Sequence, residues 1–208
     1  LPFSDPMMDG PIVQAAGIAA LERGVTVPGL LDELAKTEVG VPVAVMTYYN
    51  LVFRAGHRRF AAALVAAGVS GAIVPDLALE ELEPWAAAAD AGGIETVLMV
   101  APPTPPERVA ALAARCRGFL YAVARMGVTG ERQSLGEQAG AVVARARVVT
   151  DLPICAGIGI STAAQAAEVC EVADGAVVGT ALVRRLLEGA GPEGAARFVG
   201  ELRGALDS

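Results

Sequence analysis

Short runs of β-branched and other apolar residues alternate along the chain with longer, alanine-rich stretches of helical periodicity, and this alternation limits the fold more than any other feature. The strand-like runs are residues 41–46, 70–74, 95–100, 118–123, 153–156 and 175–178. The helical stretches are 12–23, 27–37, 58–67, 79–91, 107–116, 136–148, 162–172, 181–188 and 192–206. Strands alternating with helices of this length build βαβ units around a parallel sheet. The runs read as largely continuous apolar stretches rather than alternately polar, as expected of strands covered on both faces. The expected fold class is therefore α/β, in one domain over residues 1–208. Two architectures suit it: a TIM (β/α)8 barrel or an open doubly wound sheet. A closed barrel needs eight strands and about 250 residues. With six strands visible, the barrel reading leaves the first strand–helix–strand outside this chain.

Composition narrows the function. Apolar residues make up 54% of the chain, yet no uninterrupted apolar stretch approaches the roughly 20 residues of a membrane helix. The opening LPFSDP lacks the basic-then-apolar order of a signal peptide, so neither a leader nor a membrane span is expected, and the expected location is the cytoplasm. A net charge of −7, with Lys36 as the only lysine, argues against nucleic acid as a partner. His57 is the only histidine, and Cys116, Cys155 and Cys170 show no CxxC spacing. No metal site is expected, and the cysteines read as free, buried thiols.

In a β/α barrel the working residues sit in the loops that follow the strands. Gly157-Ile158-Gly159-Ile160-Ser161 and Gly179-Thr180 follow the last two strands, and each precedes a helix. Glycine lets backbone N–H groups come close to an anion, and a helix N-terminus favours negative charge, so the pair reads as a phosphate site. Arg125-Met126-Gly127-Val128-Thr129-Gly130 has the composition of a lid or of an ordinary loop. Asp5 and Asp9 lie in a proline-rich opening loop, where each is either a chemical group or a turn residue. Asp76 reads equally as a site residue or as a cap for the helix that follows it. Tyr48, Tyr49 and Asn50 end one strand and Tyr121 lies on another, as ring-gripping or plain core aromatics.

Taken in order, these segments resemble a known family. Pro2-Phe3-Ser4-Asp5-Pro6 with Asp9-Gly10-Pro11 is similar to the signature of tryptophan synthase alpha chains. So are Tyr48-Tyr49-Asn50-Leu51-Val52-Phe53, Pro75-Asp76-Leu77 with Glu80-Glu81, and Arg125-x-Gly127-Val128-Thr129-Gly130. Gly157-Ile158-Gly159-Ile160-Ser161 and Gly179-Thr180-Ala181-Leu182-Val183 complete the set, in the family's order.

The resemblance implies a TIM barrel lyase that splits indole-3-glycerol phosphate into indole and glyceraldehyde 3-phosphate by a retro-aldol step. It assigns Asp9 to the charge that develops beside the ring nitrogen, Tyr121 to the indole pocket and Tyr48 to its surroundings. Thr129 and Gly130 fall on the mobile loop, where Thr129 orients Asp9 on closure. The backbone of Gly159, Gly179 and Thr180 falls on the phosphate. It implies no cofactor in this subunit and a pyridoxal-phosphate beta subunit as partner in an alpha2-beta2 complex, faced by Pro2, Asp5 and residues 49–53. The family's second acid–base group, a glutamate, precedes the PFSDP segment and so lies ahead of Leu1. The sequence is therefore expected to be a fragment, and a chain made as written is expected to aggregate and to show little lyase activity. Two other readings stay open: a degenerate alpha-like protein that only binds or activates a beta subunit, and another phosphate-binding barrel isomerase or epimerase.

Overall fold

The computed structural model describes residues 1–123 and 135–207. They fall into two compact units, Leu1–Leu98 with Cys116–Gly118, and Met99–Arg115 with Phe119–Ser208.

The first unit opens on an irregular loop and two helices, α1 (Pro11–Glu22) and α2 (Val27–Ala35). Both begin with proline in the first turn, where its missing N–H costs nothing, and the Thr26 hydroxyl caps α2 by accepting from the Gly29 N–H at 3.2 Å. Strand β1 (Ala44–Met46) runs into α3 (Tyr49–Ala55) and α4 (His57–Ala66). Then come β2 (Gly71–Ile73), a 3-10 turn (Leu79–Glu81), α5 (Glu83–Gly92) and β3 (Glu95–Val100). β1, β2 and β3 are parallel neighbours, with Val45 opposite Ala72 and Ala72 opposite Thr96. Parallel strands need a crossover of a dozen or more residues, which the helices supply. Alanine lets α4 and α5 approach: Ala61, Ala86 and Ala89 are buried, and Phe60 meets Trp85 edge-on at 5.8 Å.

The second unit contains α6 (Pro106–Arg115), β4 (Leu120–Val123), α7 (Leu135–Arg147), β5 (Ile154–Gly157), α8 (Ala163–Cys170), β6 (Gly175–Ala176), α9 (Thr180–Leu187) and α10 (Gly191–Leu206). β4 pairs with β5 and β5 with β6, all parallel, with Tyr121 opposite Cys155 and Cys155 opposite Gly175. The Arg145 guanidinium of α7 donates to the carbonyls of Ala101 and Thr104, at 3.1 and 3.2 Å, and pins the loop after β3. Asp174 accepts from the Ile154 N–H at 2.7 Å and pairs with Arg147, tying β5 to α7. The Arg185 guanidinium sits 3.6 Å over the Phe198 ring, joining α9 to α10.

Three expectations change. Residues 49 and 50 do not end a strand; they open α3, which the strand-and-loop reading did not anticipate. The strand before them is three residues, not six. Of the three thiols, all free, only Cys116 is buried, while Cys155 and Cys170 are half-buried.

Candidate active site

In the first unit the site residues gather at the C-terminal end of β1. Tyr48 lies two residues past the strand and is buried, with Phe3 stacked on its ring at 5.1 Å. Its hydroxyl accepts two hydrogen bonds from the opening loop, from the Met8 N–H at 2.9 Å and the Asp9 N–H at 3.1 Å. Burial pushes the Tyr48 phenol above its ordinary value, and the neighbouring Asp9 carboxylate adds to the rise, partly offset by the two N–H donors. The far side of the loop is held by Gln14, whose amide nitrogen donates to the carbonyls of Pro6 and Asp9 at 3.2 and 2.9 Å. Asp9 is thus fixed through its own N–H and its own C=O, and the residue remains half-exposed.

Asp76 caps a helix, but not the one that follows it. Its Oδ1 accepts from the Tyr49 N–H at 2.8 Å, the first N–H of α3, 27 residues earlier in the chain. A carboxylate at a helix N-terminus satisfies an orphan donor and suits the dipole. Beyond it, Tyr49 meets the Nε2 of His57 at 3.1 Å, and Phe53 leans on the same imidazole while remaining 65% exposed.

In the second unit Tyr121 projects from β4 and lies across Gly157 of β5. A Cβ built on Gly157 would sit 2.3 Å from the Tyr121 hydroxyl and 2.6 Å from its ring, so only glycine leaves room for this phenol. Burial raises the Tyr121 pKa, with a smaller rise from Cys155. In the next loop Ile158 and Ile160 are buried while Gly159, at φ +85°, and Ser161 face outward. The positive φ is a conformation glycine adopts without steric cost.

The two helix starts nearby differ. The α8 N-terminus is occupied by its own capping box: the Ser161 and Thr162 N–H groups donate to Gln165 Oε1, and the Gln165 N–H donates to Thr162 Oγ1. At α9, Gly179 stands at the N-cap with no side-chain cap, and a Cβ there would meet nothing within 4 Å. Thr180 beside it is exposed. Only the second start presents uncapped N–H groups to an anion. Thr129 and Gly130 lie outside the described residues.

The family model of the tryptophan synthase alpha chain matches residues 1–202. The chain belongs to that family. It is 46% identical over 208 aligned residues to the tryptophan synthase alpha chain of Streptomyces avermitilis, covering 97% of this chain and 75% of that protein. To the alpha chain of Thermobifida fusca it is 48% identical over 191 residues, 90% of this chain and 71% of the relative. Among solved structures, Mycobacterium tuberculosis tryptophan synthase matches with a TM-score of 0.89 at 42% identity, over 99% of this chain and 78% of that one. The alpha subunit from Legionella pneumophila matches with a TM-score of 0.88 at 29% identity, over 100% and 79%. The fold is accordingly the β/α barrel of the tryptophan synthase alpha chains, a family of lyases in tryptophan biosynthesis. That match sets aside the open doubly wound sheet.

Seen as a tryptophan synthase alpha chain, the molecule has one site feature that the motifs did not single out. Gln14 lies past the signature segment, one turn into α1. The available signal was its spacing: a polar side chain that deep in an otherwise apolar first turn and a half, close behind the Asp9 loop. The apolar cleft of about 420 Å³ between α2 and α4, lined by Leu31, Leu51, Phe60 and Ala63, is a separate feature of the first unit.

Proposed function

We propose that Asp9 is the carboxylate that stabilises the transition state when this chain cleaves indole-3-glycerol phosphate to indole and glyceraldehyde 3-phosphate. In that step indole C3 gains a proton and the side-chain hydroxyl loses one. The bond between C3 and the carbinol carbon then breaks, and its electrons return to the ring as the carbinol becomes the aldehyde. Positive charge develops at the ring nitrogen once C3 is protonated. A fixed carboxylate beside that N–H binds the transition state better than the ground state, which is the condition for catalysis. The observation that supports the role is the clamp on Asp9: its N–H is held by Tyr48 and its C=O by Gln14. A group that does not have to reorganise acts most strongly on developing charge.

The remaining assignments follow the same reading. The backbone of Gly159, Gly179 and Thr180 holds the phosphate, supported by the uncapped start of α9. Tyr121 lines the indole pocket, and Tyr48 acts by holding the Asp9 loop. The chain carries no cofactor of its own and works in the cytoplasm in an alpha2-beta2 complex, with pyridoxal phosphate in the beta subunit. Pro2, Asp5 and residues 49–53 face that partner, and the exposed Phe53 ring and Asp5 carboxylate are consistent with a docking surface.

The test is Asp9→Asn in the full-length protein, assayed for indole release. The amide still reaches the ring N–H but carries no charge, so turnover falls by roughly a hundred-fold or more while KM changes little. Near-normal turnover would make Asp9 a turn residue only.

A further inference from the structure

We propose that Gln14 is a positioning residue for Asp9, an inference that rests on the catalytic reading above. Side chains on a helix lean back toward its N-terminus. Gln14, the fourth residue of α1, therefore returns its carboxamide over the first turn to the loop that precedes the helix. An amide NH2 has two protons to give, and here both are used: one on the Pro6 carbonyl at 3.2 Å, one on the Asp9 carbonyl at 2.9 Å.

From the opposite side the Tyr48 hydroxyl accepts the N–H of Met8 and of Asp9. The peptide planes before and after Asp9 are consequently both held by side chains, one from α1 and one from Tyr48, just past β1. The Asp9 carboxylate itself lies against the Tyr48 hydroxyl, which feels both its charge and its hydrogen bond. Gly10, at the N-cap of α1, makes no side-chain cap, so the junction between loop and helix depends on Gln14 for its lateral restraint.

The residue type fits this work. The carbonyls need two donors on one uncharged group. Glutamate offers none when ionised, asparagine is one methylene too short, and a lysine or arginine would bring a cation beside the carboxylate. Among the described residues the Gln14 amide bonds to backbone carbonyls, so it acts through Asp9 rather than on the substrate.

The experiment measures kcat and KM for indole release in the full-length protein for Gln14→Met, Gln14→Glu, Asp9→Asn and the double variant Gln14→Met/Asp9→Asn. Small displacements of a catalytic group cost up to about a hundred-fold in rate. Gln14→Met is expected to lower kcat by roughly ten- to hundred-fold with KM within about two-fold, and the double variant to be as slow as Asp9→Asn alone. Gln14→Glu should be comparably slow when ionised and should recover relative to the parent as pH falls and its carboxyl regains a proton to donate. A merely structural glutamine would lower the unfolding temperature but would multiply its loss with that of Asp9→Asn. Normal kcat in Gln14→Met and Gln14→Glu, or fully multiplicative losses in the double variant, would overturn the proposal. Normal turnover in Asp9→Asn would instead overturn the catalytic reading itself, so the two failures are distinct.

Discussion

At Gly157 the absence of a single carbon is what admits Tyr121. A methyl group there would lie inside the contact distance of three atoms of the phenol, at 2.3, 2.6 and 2.8 Å. Either the ring leaves or β5 shifts against β4, where Val123 pairs with Gly157. Gly157→Ala should therefore destabilise the protein by about 1–3 kcal/mol, the usual cost of forcing extra volume into a packed site. Thermal unfolding together with the ultraviolet signature of Tyr121 would check it, and an unchanged melting temperature with an unmoved tyrosine would contradict the geometry. The same residue scale explains why Tyr48 and Tyr121, both raised in pKa chiefly by burial, play different parts. The Tyr48 hydroxyl is occupied by backbone donors, while Tyr121 lies over a glycine.

Among the elements, the helix starts separate structure from function. α3 begins without a local side-chain cap and takes one from Asp76, which arrives from the loop after β2. Removing an N-cap acceptor costs about 0.5–2 kcal/mol. Asp76→Ala should lose stability in that range, as read by denaturant midpoint at unchanged m-value. A loss below that range would mean that water replaces the carboxylate freely. α9 is the opposite case. Gly179 has space around it and an ordinary negative φ, so a side chain there disturbs nothing in the fold but occupies the ground in front of the helix start. Gly179→Val is expected to leave the melting temperature within about 2 °C while weakening inorganic phosphate binding ten-fold or more by calorimetry. Equal affinity would remove α9 from the phosphate site. Because α8 closes on its own capping box, the matching change at Thr162 should affect stability alone.

For the molecule as a whole, acid sensitivity has an identifiable contributor. Asp174 accepts the Ile154 N–H and pairs with Arg147, and these contacts, the backbone donor first, hold its carboxyl below the ordinary value. A carboxyl depressed in the folded state contributes stability above its unfolded pKa and loses it as pH falls through the folded value. Stability should decline as pH drops below about 4, the ordinary range for aspartate. Asp174→Asn should flatten that decline while lowering stability at neutral pH. Melting temperatures recorded from pH 7 down to 3 would decide it, and parallel curves for the two proteins would exclude Asp174. The fold that this contact helps hold was largely legible along the chain. β3 occupies residues 95–100, the bounds expected of its strand-like run, and α6, α7, α9 and α10 begin within one residue of their expected starts. The family motifs were legible for the same reason: each is a short segment whose residues are neighbours in sequence.

What the sequence determined by itself is the set of local structures, because apolar period, turn residues and glycine loops all act within a few positions of one another. Tertiary structure decided the rest. α3 escaped the sequence reading because its cap is Asp76, 27 residues downstream. Gly157 looked like one turn glycine among several until the ring of Tyr121, 36 positions earlier, was found lying on it. Gln14 looked like one polar residue of an apolar helix until its amide met the loop holding Asp9, and Tyr48 met that loop from 39 positions away. Each of these contacts joins residues that no local pattern relates, and only the packing of strands and helices brings their atoms within hydrogen-bond or van der Waals distance.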